Sequence, residues 1–166
     1  MPAPRMVSMR SVPHRRLVRP SDICLACRCS GRCPVAERRV QQQHTDGYRV
    51  SVSVVDRAGV LRAMGRSDGA GSHTVDSSRK KAYTAASVRR TTTELADLTM
   101  KVPTLQALGN INNEMLILGG GLPIEIGGEI VGGIGVSGAP GTHLDDACAQ
   151  DGLDVIGAAP KVGTSK

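Results

Sequence analysis

Two hairpin signatures with a helix-rich stretch between them constrain this chain more than any other feature. The first runs through Tyr48-Arg-Val-Ser-Val-Ser-Val-Val-Asp56, the turn Arg57-Ala-Gly59 and Val60-Leu-Arg-Ala-Met-Gly-Arg66. Val50, Val52 and Val54 alternate with Arg49, Ser51 and Ser53, the period-two pattern of a strand with one buried face. In the second, Leu122, Ile124 and Ile126 repeat that alternation, and Gly127-Gly128 is a two-residue turn leading into Glu129-Ile-Val-Gly-Gly-Ile-Gly-Val136. A short apolar run, Met115-Leu-Ile-Leu118, precedes it and reads as a further strand.

Between the hairpins, Ser72 or Thr74 can cap a helix from about Val75 to Arg89. Its packing face is Ala82, Ala85 and Ala86, with Lys80, Lys81, Arg89 and Arg90 on the exposed side. Thr91-Thr92-Thr93-Glu94 reads as the N-cap of a second, short helix that turns Leu95 and Leu98 inward. Residues 103–113 read as loop or a single turn. A last helix starts near Thr142 or His143 and runs to about Ile156. Two strands, then three near 115–118, 122–127 and 129–136, with helices packed on them, make an α+β domain. The glycines of 129–136 permit close approach by a ligand, a helix or a neighbouring subunit.

Charge divides the chain. Residues 1–46 carry nine arginines against three acids, while from residue 47 onward twelve basic side chains meet twelve acidic ones, so the net +6 sits on the leader. Residues 1–33 read as a disordered, basic, cysteine-containing leader, residues 34–160 as the domain and 161–166 as a tail. With no Phe, no Trp and two Tyr, the core must be built from small aliphatic residues. That composition lacks the stacking platforms of single-stranded nucleic-acid binders, and no nucleic-acid partner is expected. The first 46 residues contain no apolar h-region, and Glu125 and Glu129 break the apolar run of 115–139, so a cytoplasmic protein without a membrane partner is expected.

The motifs in series resemble the GlcG/HbpS family, which includes the C-terminal domain of PduO-type proteins. The resemblance rests on Val54-Val-Asp56 with Gly59 and Leu61, Arg66-Ser-Asp-Gly-Ala70, Lys81-Ala-Tyr-Thr-Ala85, Thr92-Thr-Glu-Leu95, Gly119-Gly-Gly-Leu-Pro-Ile124 and Val131-Gly-Gly-Ile-Gly-Val-Ser-Gly-Ala139 followed by Asp145-Asp146. It implies a profilin-like five-stranded antiparallel sheet with helices on both faces, and assembly into dimers or larger homo-oligomers. It also implies a small-molecule ligand, haem or a related tetrapyrrole, held near the Thr-Thr-Glu-Leu helix start. Thr92 matches the threonine of that motif, whose hydroxyl would face the iron; its plainer reading is an N-cap. Arg66 and Lys81 match positions that would pair with carboxylates, propionates included, and Asp68 lies beside Arg66. The alternative function is an enzyme or accessory subunit acting on a small organic acid in glycolate- or diol-type metabolism, with Arg66, Asp68 and Lys81 lining its pocket. The family's long first helix is replaced here by Cys24, Cys27, Cys29, Cys33 and Pro34, and only Val35 to Thr45 looks helical.

Other constellations carry less. Gly133-Ile-Gly-Val-Ser-Gly138 matches the dinucleotide fingerprint in letters, but Pro140 interrupts the transition to a helix and no βαβ unit follows. The cysteine run is one residue short of a ferredoxin-type spacing, and Cys148 lies far from it. His14, His44, His73 and His143 form no metal-binding pair, although each is an imidazole that haem iron accepts. Ser137 is outside any nucleophile elbow, and Asp56, Asp68, Asp145 and Asp146 sit beside turns or helix starts. No acid–base pair stands out, and no catalytic residue is assigned.

Overall fold

The Asp56 side chain organises the first turn. In the computed structural model, which describes residues 48–158, its carboxylate accepts the backbone N–H groups of Ala58 at 2.9 Å and Val60 at 3.0 Å. This joins strand β1 (Ser51–Asp56) to β2 (Leu61–Arg66). The helix expected over Val35–Thr45, the leader 1–33 with its four cysteines, and the tail 161–166 lie outside the described residues. The second hairpin links β3 (Gly121–Ile126) to β4 (Glu129–Ser137) through Gly127 and Gly128, both at positive φ as a primed turn requires.

The hairpins join through their first and last strands. β1 pairs with β4 in antiparallel register, Val52 opposite Val136 and Val54 opposite Ile134, so the sheet order is β2-β1-β4-β3. Helices cover both faces. On one side, α3 (Thr142–Val155) places Ala149 and Leu153 against Val50, Val52, Val54, Leu122, Ile124, Ile134 and Val136, all buried. On the other lies α1 (His73–Val88), with α2 (Thr92–Lys101) and a 3-10 helix (Pro103–Asn110) following it.

Two expectations change here. Four strands form among the described residues, not five: residues 115–118 make no ladder. The backbone N–H of Leu116 instead donates to the Thr84 hydroxyl at 2.9 Å, and Glu114 and Asn112 bond Arg79 and Tyr83. The segment is therefore tied to α1, leaving β3 as a sheet edge. Strand β1 is also buried on both faces. Ser51 and Ser53 are fully buried, their hydroxyls paired with Thr74 at 2.7 Å and Ser78 at 2.8 Å on α1. Small hydroxyls satisfied by a facing helix make a polar strand face compatible with the interior.

Gly133 and Gly135 explain how α1 comes so close. A Cβ on Gly135 would lie 2.6 Å from Ala82 N and closer still to Ser78 O, and one on Gly133 would strike Ala82 O. The helix backbone rests directly on β4, so the approach that the glycines permit is made by a helix of the same chain.

Candidate functional site

The wheel positions of α1 that face the sheet are Thr74, Ser78, Lys81, Ala82 and Ala85, the i, i+4, i+7, i+8, i+11 stripe of an amphipathic helix. Lys81 was expected on the exposed side; it is 1% exposed. Its Nζ donates to the Val136 carbonyl at 3.0 Å and to Asp145 Oδ2 at 2.8 Å. A buried ammonium requires such a partner, because a lone charge in the interior costs several kcal/mol on the order-of-magnitude scale.

Asp145 and Asp146, at the start of α3, hold the rest together. Asp145 Oδ1 accepts Ala139 N at 3.1 Å. Burial pushes the Asp145 carboxyl above its ordinary range, and the bond from Lys81 pulls the other way. Asp146 accepts Gly120 N at 2.7 Å and the Thr93 hydroxyl at 2.5 Å. One residue on, Thr92 Oγ1 accepts Gly121 N at 2.8 Å and donates to Gly121 O at 3.3 Å. The N-cap of α2 is Thr91, whose hydroxyl accepts Glu94 N at 3.1 Å. Thr92 is thus neither a cap nor a free hydroxyl: it is fully buried and clamps the first residue of β3.

The arrangement is a polar knot in which Lys81, Thr92, Thr93, Asp145 and Asp146 tie the middle of α1, the starts of α2 and α3 and two strand ends to Gly119–Gly121. The carboxylates are committed to donors of the chain itself, and the knot acts as a clamp. Nothing local in the sequence pairs Lys81 with Asp145: Lys81 reads as an exposed cation that would meet a ligand carboxylate, and Asp145 as an acid beside a helix start. The signal available was the helical stripe, which placed Lys81 among inward-facing positions.

The expected site residues do not all converge. Lys81 and Thr92 meet at Gly120–Gly121, by β3. Arg66 and Asp68 are exposed, at and just beyond the end of β2, and β2 and β3 are the opposite edges of the sheet. His73 and His143 are exposed at the starts of α1 and α3, and Cys148 packs against the core. Ser137 is buried, its hydroxyl 2.7 Å from that of Ser77. Among the described residues no three His, Cys, Asp or Glu gather in a metal-binding group, and no helix is long and apolar enough to cross a membrane.

Comparison with known proteins gives this geometry a setting. The family model described as haem degrading protein HbpS-like matches residues 34–154. An uncharacterized 15.0 kDa protein from the dhaT-dhaS intergenic region of Citrobacter freundii is 37% identical over 106 residues, 63% of this chain and 74% of the relative. Among solved structures, a double mutant of Streptomyces reticuli HbpS aligns with a TM-score of 0.69 at 35% identity, covering 93% of this chain and 98% of that one. Klebsiella pneumoniae ORFY aligns with a TM-score of 0.68 at 31% identity, over 75% and 87% of the two chains. A PduOC–heme complex aligns with a TM-score of 0.67 at 28% identity, over 75% and 88%.

Proposed function

This chain belongs to the HbpS-like family, and from that premise we propose that it is a small-ligand-binding protein whose ligand is haem or a related tetrapyrrole, acting as a cytoplasmic homo-oligomer. The observation that carries the reading is the likeness, across the sheet and its helices, to a chain crystallised as a heme complex.

The residues of this chain set the terms of such binding. Thr92 does not fit the role of iron ligand: its hydroxyl is buried and bonded in both directions to Gly121, and an iron atom would have to displace both bonds. Lys81 Nζ is buried against Asp145 and does not reach a propionate at the surface. Arg66 is exposed and retains donors suited to carboxylate. Recognition therefore rests on the macrocycle and its carboxylates.

Titrating the purified protein with haemin tests the proposal. A saturable Soret shift at micromolar protein is the expected result. Its absence, with the protein folded by circular dichroism, would overturn the haem reading.

A further inference from the structure

Among the described elements, β2 is the part of the sheet left uncovered on the α1 side. Helix α1 sits on β4 through Gly133 and Gly135, and its radius with side chains is about 5–6 Å. Strands are spaced about 4.8 Å apart, so β2, two strands from β4, lies roughly 10 Å away and beyond the helix's reach. Leu61, Met64 and Arg66 pair across from Val55, Ser53 and Ser51, the residues of β1 that face α1. They therefore point to the α1 side of the sheet, and none of the described helices lies above them. Leu61 is 42% exposed and Met64 44%, and Val60 beside them is 54% exposed.

Each end of this face is defined. At the hairpin end, the Tyr83 ring lies against Gly59, where a Cβ would fall 2.6 Å from it. At the other end, two guanidinium groups meet one turn. Arg66 Nη2 donates to the Ala70 carbonyl, and Arg49 lies over Gly69, its Nη1 2.9 Å from where a Cβ would be. Among the described residues neither arginine forms a salt bridge, and Asp68 is the one acid of that turn. Five residue steps separate Leu61 from Arg66, about 16 Å of strand.

We infer that this open face of β2 is a binding site for a flat, apolar dicarboxylate, its body on Leu61 and Met64 and its carboxylates on Arg49 and Arg66. The face offers apolar area that water covers poorly, closed at one end by an aromatic ring and at the other by planar donors matched to carboxylate. It rests on the tetrapyrrole reading above, and it places the ligand at the sheet edge opposite Thr92.

Free-base protoporphyrin IX, which has no iron to ligate, is the probe, followed by its fluorescence alongside the haemin titration. The variants are Arg49→Gln with Arg66→Gln, and separately Met64→Ser, which leaves the turn intact. Arg90→Gln, an exposed charge just beyond the C-terminal end of α1, controls for net charge. The wild type and Arg90→Gln should bind the porphyrin saturably. The double arginine variant and Met64→Ser should each bind at least tenfold more weakly, with unchanged circular dichroism. If both bind within twofold of wild type, the site is elsewhere and only the tetrapyrrole reading survives. If the wild type binds neither porphyrin nor haemin, both proposals fail.

Discussion

Replacing Gly135 with alanine asks whether the contact between α1 and β4 is as tight as the backbone implies. The added Cβ would lie 2.6 Å from Ala82 N and closer still to Ser78 O, whereas real Cβ atoms essentially never come within 3.0 Å of another group. Both obstacles are backbone, so no side chain can swing aside. Clearing them lifts the helix by about 1 Å in an interior packed like a crystal. That displacement breaks the Ser53–Ser78 hydroxyl pair at 2.8 Å, which leaves the buried Ser53 hydroxyl short of a partner, while Ser78 keeps its bond to the Val75 carbonyl. Overpacking of this kind costs about 1–3 kcal/mol and the lost bond about 1 kcal/mol more. A total near 3 kcal/mol should lower the melting temperature by roughly 10–15 °C for a domain of this size. Gly128→Ala is the control: it has a positive φ of 86° but nothing within 4 Å, so strain alone should cost about 1 kcal/mol. Differential scanning calorimetry on both variants decides the matter. If Gly135→Ala melts within about 3 °C of wild type, a change of roughly one kcal/mol or less, the close seating of α1 is wrong.

Removing the cation of the polar knot, by Lys81→Met, should destabilise the protein by about 3–5 kcal/mol in urea unfolding, because Asp145 is left buried and unpaired; adding Asp145→Leu should recover much of that loss. A single variant no worse than the double would show that the pair does not matter. Thr92→Val keeps the shape but strips the Gly121 N–H of its acceptor, and should cost about 1–3 kcal/mol without altering a haemin titration; loss of haemin binding in a protein that remains folded would return Thr92 to the ligand. Acid stability should follow the surface pairs: Arg79 holds the Glu114 carboxyl below its ordinary 4.5, and Lys80 holds Asp76 below 3.8. The native state thus binds these protons less tightly than the unfolded chain, and the stability they contribute is present above those values and lost as pH falls through the lowered ones. Asp145, raised by burial, runs the other way, its contribution being present at low pH and lost as pH rises through the raised value. Glu114→Gln should therefore lose less stability than wild type between about pH 5 and pH 3, and parallel curves would refute the assignment.

Local pattern determined a good deal of this protein. The alternation of Val50, Val52 and Val54, the Gly127-Gly128 turn and the threonine-rich start of α2 each encode a backbone choice that neighbouring residues enforce, and each stands in the fold where its pattern put it. The glycines of β4 likewise announced a close approach, because a missing Cβ is a local fact. What the pattern left open was the partner. Alternation says that a strand has two faces, but only the β1–β4 pairing put α3 on the valines and α1 on the serines, and so made a polar face into an interior one. Residues 115–118 carry the letters of a strand, yet Thr84, Arg79 and Tyr83 bind that segment to a helix. Lys81 reads as a solvated helix residue until Asp145, 64 positions away, is brought beside it. Hydrophobic period depends on residues a few steps apart, whereas burial of a charge depends on what long-range closure brings opposite it. That is also why the sequence placed Lys81, Thr92, Arg66 and Asp68 in one site, and the tertiary structure sends them to opposite edges of the sheet.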